Sequence, residues 1–145
     1  MTKRIKYQEG DIISIPLTNG KTAVCKIIFA PTGQLKQVIG CTVIDVQHVL
    51  NLEILNLQEY ISINSNPRNT NCFFTGNQFV KNGNWTVLGT SLLSEKEKAM
   101  QKFIYACQLY YNEELIRNAN EEDYSKFPTL NVMGFALVDQ ILTRL

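Results

Sequence analysis

The first apolar pattern along the chain is an alternation. Ile13, Ile15 and Leu17 are interleaved with Ser14 and Pro16, the period-two spacing of a strand with one buried face. Asn19-Gly20 comes next, a dipeptide that tolerates the positive φ values of a tight turn, and "KTAVCKIIFA" reads as the returning strand of a hairpin. Pro16 has no N–H to give to a ladder, which places it at an edge, a strand end or a bulge. "APTG" at 30–33 is a second turn, and "QLKQVIGCTVIDV" at 34–46 predicts a third strand in which Gly40 marks a bulge or tight bend. Leu57, Tyr60 and Ile61 lie at helical spacing after Asn56, which predicts one short helix within 47–63. The polar run "NSNPRNTN" at 64–71 is a surface loop. "CFFTGNQFV", the Asn82-Gly83 turn and "NWTVLG" then predict a second hairpin.

From residue 94 the period changes. Ser94 with Glu97 forms a capping box, and Met100, Phe103, Ile104, Cys107, Tyr111 and Leu115 recur at intervals of three and four, predicting an amphipathic helix of about twenty residues. "NANEEDYSKFP" interrupts it, and Phe135, Val138, Ile141, Leu142 and Leu145 predict a final helix of about a dozen residues. Strands first and helices afterwards indicate an α+β domain. The expected architecture is an antiparallel, partly barrel-like (SH3-like) sheet of about five strands, followed by C-terminal helices packed on it. The whole chain, 1–145, reads as a single domain, mainly β over 1–93 and mainly α over 94–145.

Composition narrows the function classes. At 145 residues, 45% apolar and 19% charged, the chain is the size and polarity of one globular domain with a real core. The net charge of +1 divides into +3 over residues 1–50 (six Lys/Arg, three acids) and −2 over 51–145 (eight against ten). That balance lacks the basic surplus with which proteins neutralise phosphates, so no nucleic-acid partner is expected. Cys25, Cys41, Cys72 and Cys107 are widely spaced among apolar neighbours and read as buried free thiols. The start "MTKRIKYQEGD" has no apolar h-region and no later stretch reaches eighteen apolar residues, so the expected location is cytoplasmic with no membrane span.

Candidate chemistry is sparse. His48, the one histidine, lies seven residues after Cys41, but a nucleophile pair needs hydrogen-bond reach and His48 falls past the strand end. One histidine and four scattered cysteines fit no metal-ligand spacing, and no cofactor motif is present. Glu113, Glu114, Glu121, Glu122 and Asp123 face only Arg117 within 113–123, a local charge of −4. Such a cluster either complements a basic partner or is a solvated helix end and loop. Trp85, the single tryptophan, packs on the open end of the barrel or anchors a partner. Tyr111 lies on the predicted apolar stripe, whereas Tyr110 is nearer its margin and is a candidate contact residue.

Several of these segments together resemble the bacterial immunity protein 26 family, small proteins that protect a cell from its own polymorphic toxin. The resemblance is carried by "YQEGDIISIPLTNGKTAVCKII" at 7–28, "TVIDV" at 42–46, "LQEYI" at 57–61 and "NGNWTVLG" at 82–89. It implies a non-enzymatic, cytoplasmic binding protein without a cofactor, whose partner is the C-terminal domain of a cognate toxin. It transfers no contact residue to this chain. Two other readings stand beside it. One is a small-barrel nucleic-acid- or peptide-binding module using Lys3, Arg4, Lys6, Lys21, Lys26 and Lys36. The other is an enzyme built around Cys41 and His48.

Overall fold

The computed structural model describes residues 5–51 and 72–145. In chain order the elements are β1 (Asp11–Pro16), β2 (Thr22–Phe29), β3 (Val38–Gln47), β4 (Cys72–Gly76), α1 (Gln78–Lys81), β5 (Thr86–Thr90) and α2 (Glu95–Ala99). They continue with β6 (Lys102–Tyr105), β7 (Gln108–Tyr111), β8 (Glu114–Asn118), α3 (Glu121–Lys126), β9 (Val132–Met133) and α4 (Phe135–Thr143). Six strands form one sheet in the order β5-β1-β2-β3-β4-β9, antiparallel except for the β4–β9 pair, and β6-β7-β8 form a separate antiparallel sheet. The α+β class is as expected. The barrel is not: β5 and β9 are the two edges of an open sheet, among the described residues, and do not close on each other.

The β1–β2 hairpin forms as its alternation predicts, with Ile13 opposite Cys25 and Ile15 opposite Ala23. Pro16 ends β1, beyond the last residue that β5 pairs, so its missing donor interrupts no ladder. The predicted irregularity at Gly40 is present as a register shift, Ile27 facing Cys41 and Phe29 facing Gly40. Ile28 is the extra residue there, and its carbonyl accepts the Gln101 side-chain amide at 2.7 Å. Before β1, Gly10 has φ +93°, and a Cβ there would lie 2.2 Å from the Ser91 carbonyl oxygen, so only glycine fits.

Both faces of the large sheet are covered, which is why β2 is buried along nearly its whole length. On one face Ile13, Ile15, Cys25, Ile27, Cys41, Val43 and Phe73 pack with Val80, Trp85 and the α4 residues Val138, Ile141 and Leu142. On the other, Ile28, Phe29, Val38, Cys72 and Phe74 pack against Phe103 and Leu130. Phe103 is fully buried, with ring centroids 5.1 Å from Phe29 and 5.7 Å from Phe74, and it seats the small sheet on the large one.

Two further sequence expectations are overturned. The long helix after residue 94 stops at Ala99: the Ser94–Glu97 capping box is present, but residues 102–118 form the β6-β7-β8 meander. The turn joining β6 to β7 is Ala106-Cys107, both with positive φ, +51° and +63°. That is the backbone of a two-residue primed turn, occupied by residues for which left-handed conformations cost about 1–2 kcal/mol each. Replacing Ala106→Asn with Cys107→Gly is therefore expected to raise stability by about 1–2 kcal/mol, read as a higher urea midpoint at unchanged slope.

The second overturned expectation is the Asn82-Gly83 hairpin. Gly83 does have φ +86°, but it ends α1, its N–H donating to the Val80 carbonyl, and β5 pairs with β1 rather than β4. The short helix expected within 47–63 and the loop at 64–71 fall largely outside the described residues; up to Gln47 the chain is still β3.

Candidate protein-binding surface

The acidic residues singled out by charge come together on the small sheet and the helix after it. Glu113 sits in the β7–β8 turn, and its Oε1 accepts the backbone N–H groups of Thr32 (3.1 Å) and Gly33 (2.7 Å), tying that turn to the β2–β3 loop. Asn112, with φ +55°, donates its side-chain amide to Glu9 from the same turn. Glu114 opens β8 and is exposed. Tyr110 stacks on Phe103 at 5.7 Å and lines a cleft of about 60 Å³ with Tyr105, Leu35 and Glu113. Half-buried, it belongs partly to the core and partly to the surface.

Glu121 and Glu122 are exposed in the first turn of α3, where carboxylates complement the helix dipole. Glu122 pairs with Lys126 at 2.5 Å, and the hydrogen bond and charge of that lysine hold its carboxyl below the ordinary value. Asp123 differs from its neighbours. It is buried, completes a capping box with Asn120, and accepts Arg117 Nη2 at 2.6 Å, which fastens β8 to α3. The five acids that charge alone groups together thus divide by role. Glu113 and Asp123 hold elements together, and Glu114, Glu121 and Glu122 face solvent.

Trp85 lies on the opposite face of the large sheet, buried to 4% exposure. Its ring meets Phe79 and Phe135 edge-on, and those two stack at 3.8 Å. The three aromatics, with Pro16, Thr18 and Asp139, line an open groove of about 490 Å³. Thr18 donates from both its N–H and its hydroxyl to the Asp139 carboxylate. Nothing in the sequence distinguishes Phe79 and Phe135 from ordinary apolar patterning.

A buried ion pair is likewise hidden in the sequence. Lys26 points out of β2 and meets Glu97 at 2.9 Å, both side chains nearly inaccessible. Its ammonium also donates to the Leu92 carbonyl, while Glu97 accepts the Ser94 N–H that completes the capping box. The one available signal is a lysine within the apolar run "AVCKIIF".

The Cys41–His48 pair does not form. Cys41 is buried mid-strand, His48 is exposed beyond Gln47, and the intervening strand spans roughly 20 Å at 3.3 Å per residue. Burial pushes the Cys41 and Cys25 thiols well up, Cys25 and Cys72 adding to the effect at Cys41, and pushes Cys72 up to about 12. Cys107, expected to be buried, is instead exposed in the primed turn. Since the thiolate is the reactive form, native protein at pH 8 should take up one iodoacetamide, at Cys107, and all four only after denaturation. Rapid native labelling of Cys41, detected by mass spectrometry, would contradict this.

Among the described residues no three His, Cys, Asp or Glu side chains are grouped to hold a metal ion. No helix among them is long and apolar enough to cross a membrane. The fold and these surfaces define a small mixed α+β protein whose polar clusters fasten its two sheets and their helices together and leave Glu114, Glu121 and Glu122 exposed on β8 and α3. The chain belongs to the Immunity protein 26 family, whose model matches residues 8–115. No curated protein and no solved structure matches it significantly. Two of the segments that carry the likeness, 7–28 and 82–89, lie side by side here although distant in sequence: Ile12 faces Gly89 and Ile13 faces Val87 in the β1–β5 ladder.

Proposed function

We propose that this protein protects its cell by binding the C-terminal domain of a cognate polymorphic toxin in the cytoplasm, covering the toxin's active site or its substrate path. The observation that carries the reading is membership of the Immunity protein 26 family over residues 8–115. The exposed carboxylates of Glu114 and Glu121 support a basic toxin domain as partner, because opposite charge steers encounter and penalises wrong partners. The enzyme reading lacks its site, since Cys41 and His48 are apart and the thiol is held protonated. The nucleic-acid reading loses Lys26, which is consumed by Glu97 inside the fold.

Co-expression with the toxin domain encoded by the neighbouring gene tests the proposal. Growth should be restored by this protein and not by an unrelated immunity protein. Failure to restore growth, with both proteins present in soluble form, would sink it.

A further inference from the structure

β8 is the outer strand of the three-stranded sheet, and all five of its residues are exposed. Among the described residues no strand pairs with its outer edge. A row of backbone N–H and C=O groups therefore faces solvent, the arrangement that accepts an added strand. Beside it Leu115 and Ile116 are 49% and 43% exposed. The register with β7 shifts between Leu109, opposite Arg117, and Tyr110, opposite Leu115, so Ile116 has no facing residue on β7. Two large apolar side chains thus stand on an open strand edge where neither serves the core.

Charge selects the occupant. Glu114 opens β8 and Glu121 and Glu122 lie just past its end, all three exposed, Glu122 already paired with Lys126. Among the described residues no cation pairs with Glu114 or Glu121. Pairing β8 with a second copy of itself would bring two sets of these unpaired carboxylates along one seam, which like-charge repulsion disfavours. A strand that alternates Lys or Arg with apolar residues complements both features.

We propose that the outer edge of β8 receives a β-strand from the toxin domain, its basic side chains meeting the flanking glutamates and its apolar side chains covering Leu115 and Ile116. This rests on the toxin-binding reading above and specifies where that partner docks. Backbone pairing would supply affinity, and the side chains specificity.

Hydrogen–deuterium exchange of the full chain, alone and with the recombinant toxin domain encoded by the neighbouring gene, tests it. Amides of residues 115–118 should slow by at least about tenfold in the complex. The double variant Leu115→Lys, Ile116→Lys, exposed at both positions, should keep its thermal midpoint and bind the toxin domain at least about tenfold more weakly. A complex in which these amides exchange at the free rate, or a double variant that binds undiminished, would overturn the β8 assignment while leaving toxin binding intact. Absence of any complex would defeat the toxin reading and this one with it. Concentration-dependent protection of β8 without toxin would make a second copy the occupant and overturn the proposal.

Discussion

Glu97→Ala should lower the unfolding free energy by about 3–5 kcal/mol, the cost of stranding one member of a buried ion pair. Removal of the carboxylate leaves the Lys26 ammonium inside the protein against the neutral Leu92 carbonyl, and it deprives the Ser94 N–H of its acceptor. Because both side chains are more than nine-tenths buried, solvent does not screen the loss. Lys26→Met should cost less, since its aliphatic replacement fits the same corridor and Glu97 keeps the Ser94 N–H. Combining Lys26→Met with Glu97→Ala should cost clearly less than the sum of the two single changes, because neither partner is then left charged and alone. Urea denaturation of the parent, the two single variants and the double variant reads the cycle; strict additivity would mean that the pair is not coupled.

Phe103→Ala should be comparably severe, about 3–5 kcal/mol, for a different reason. The ring is fully buried and touches Phe29, Phe74 and Tyr110, so truncation opens a cavity at the seam between the two sheets. The same seam positions Tyr110, Glu113 and β8, which gives the substitution a second readout. If the toxin docks on the small sheet, the variant should bind it more weakly even under conditions where it remains folded. Phe103→Leu, which fills most of the volume, should retain most of both stability and binding. A fall in stability with binding unchanged would place the contact on the other face, near the Trp85 groove.

Legibility in the sequence varies by segment. The β1–β2 hairpin is legible because alternation, an Asn-Gly turn and a terminal proline all agree with the final backbone. Ser94–Glu97 is legible as a cap, since capping is local chemistry. The stretch after the cap is not. The apolar positions from Met100 to Leu115 happen to fit a helical stripe, yet strands this short, covered by the large sheet, bury adjacent residues such as Phe103 and Ile104. The decisive turn is formed by Ala106-Cys107, residues with no preference for the left-handed conformation they adopt. Asn82-Gly83 shows the converse: its positive φ is foreseeable, but a helix end uses it as readily as a hairpin.

The candidate surface is half legible in the same sense. Charge identifies the region 113–123, because net charge survives any arrangement of the backbone. It does not separate Asp123, buried beneath Arg117, from Glu121, exposed two residues earlier. The open edge of β8 is invisible as long as that segment reads as helix. Lys26 and Glu97, 71 residues apart, are joined only by the fold.

Neutralisation by direct binding is tested most directly by titrating the toxin domain's own activity with this protein. Binding predicts a linear loss of activity with an end point near one equivalent, because each molecule occupies one toxin molecule at concentrations well above Kd. Undiminished activity at a large excess would contradict direct binding, as would full inactivation by a small fraction of an equivalent, which would mark turnover rather than occupancy.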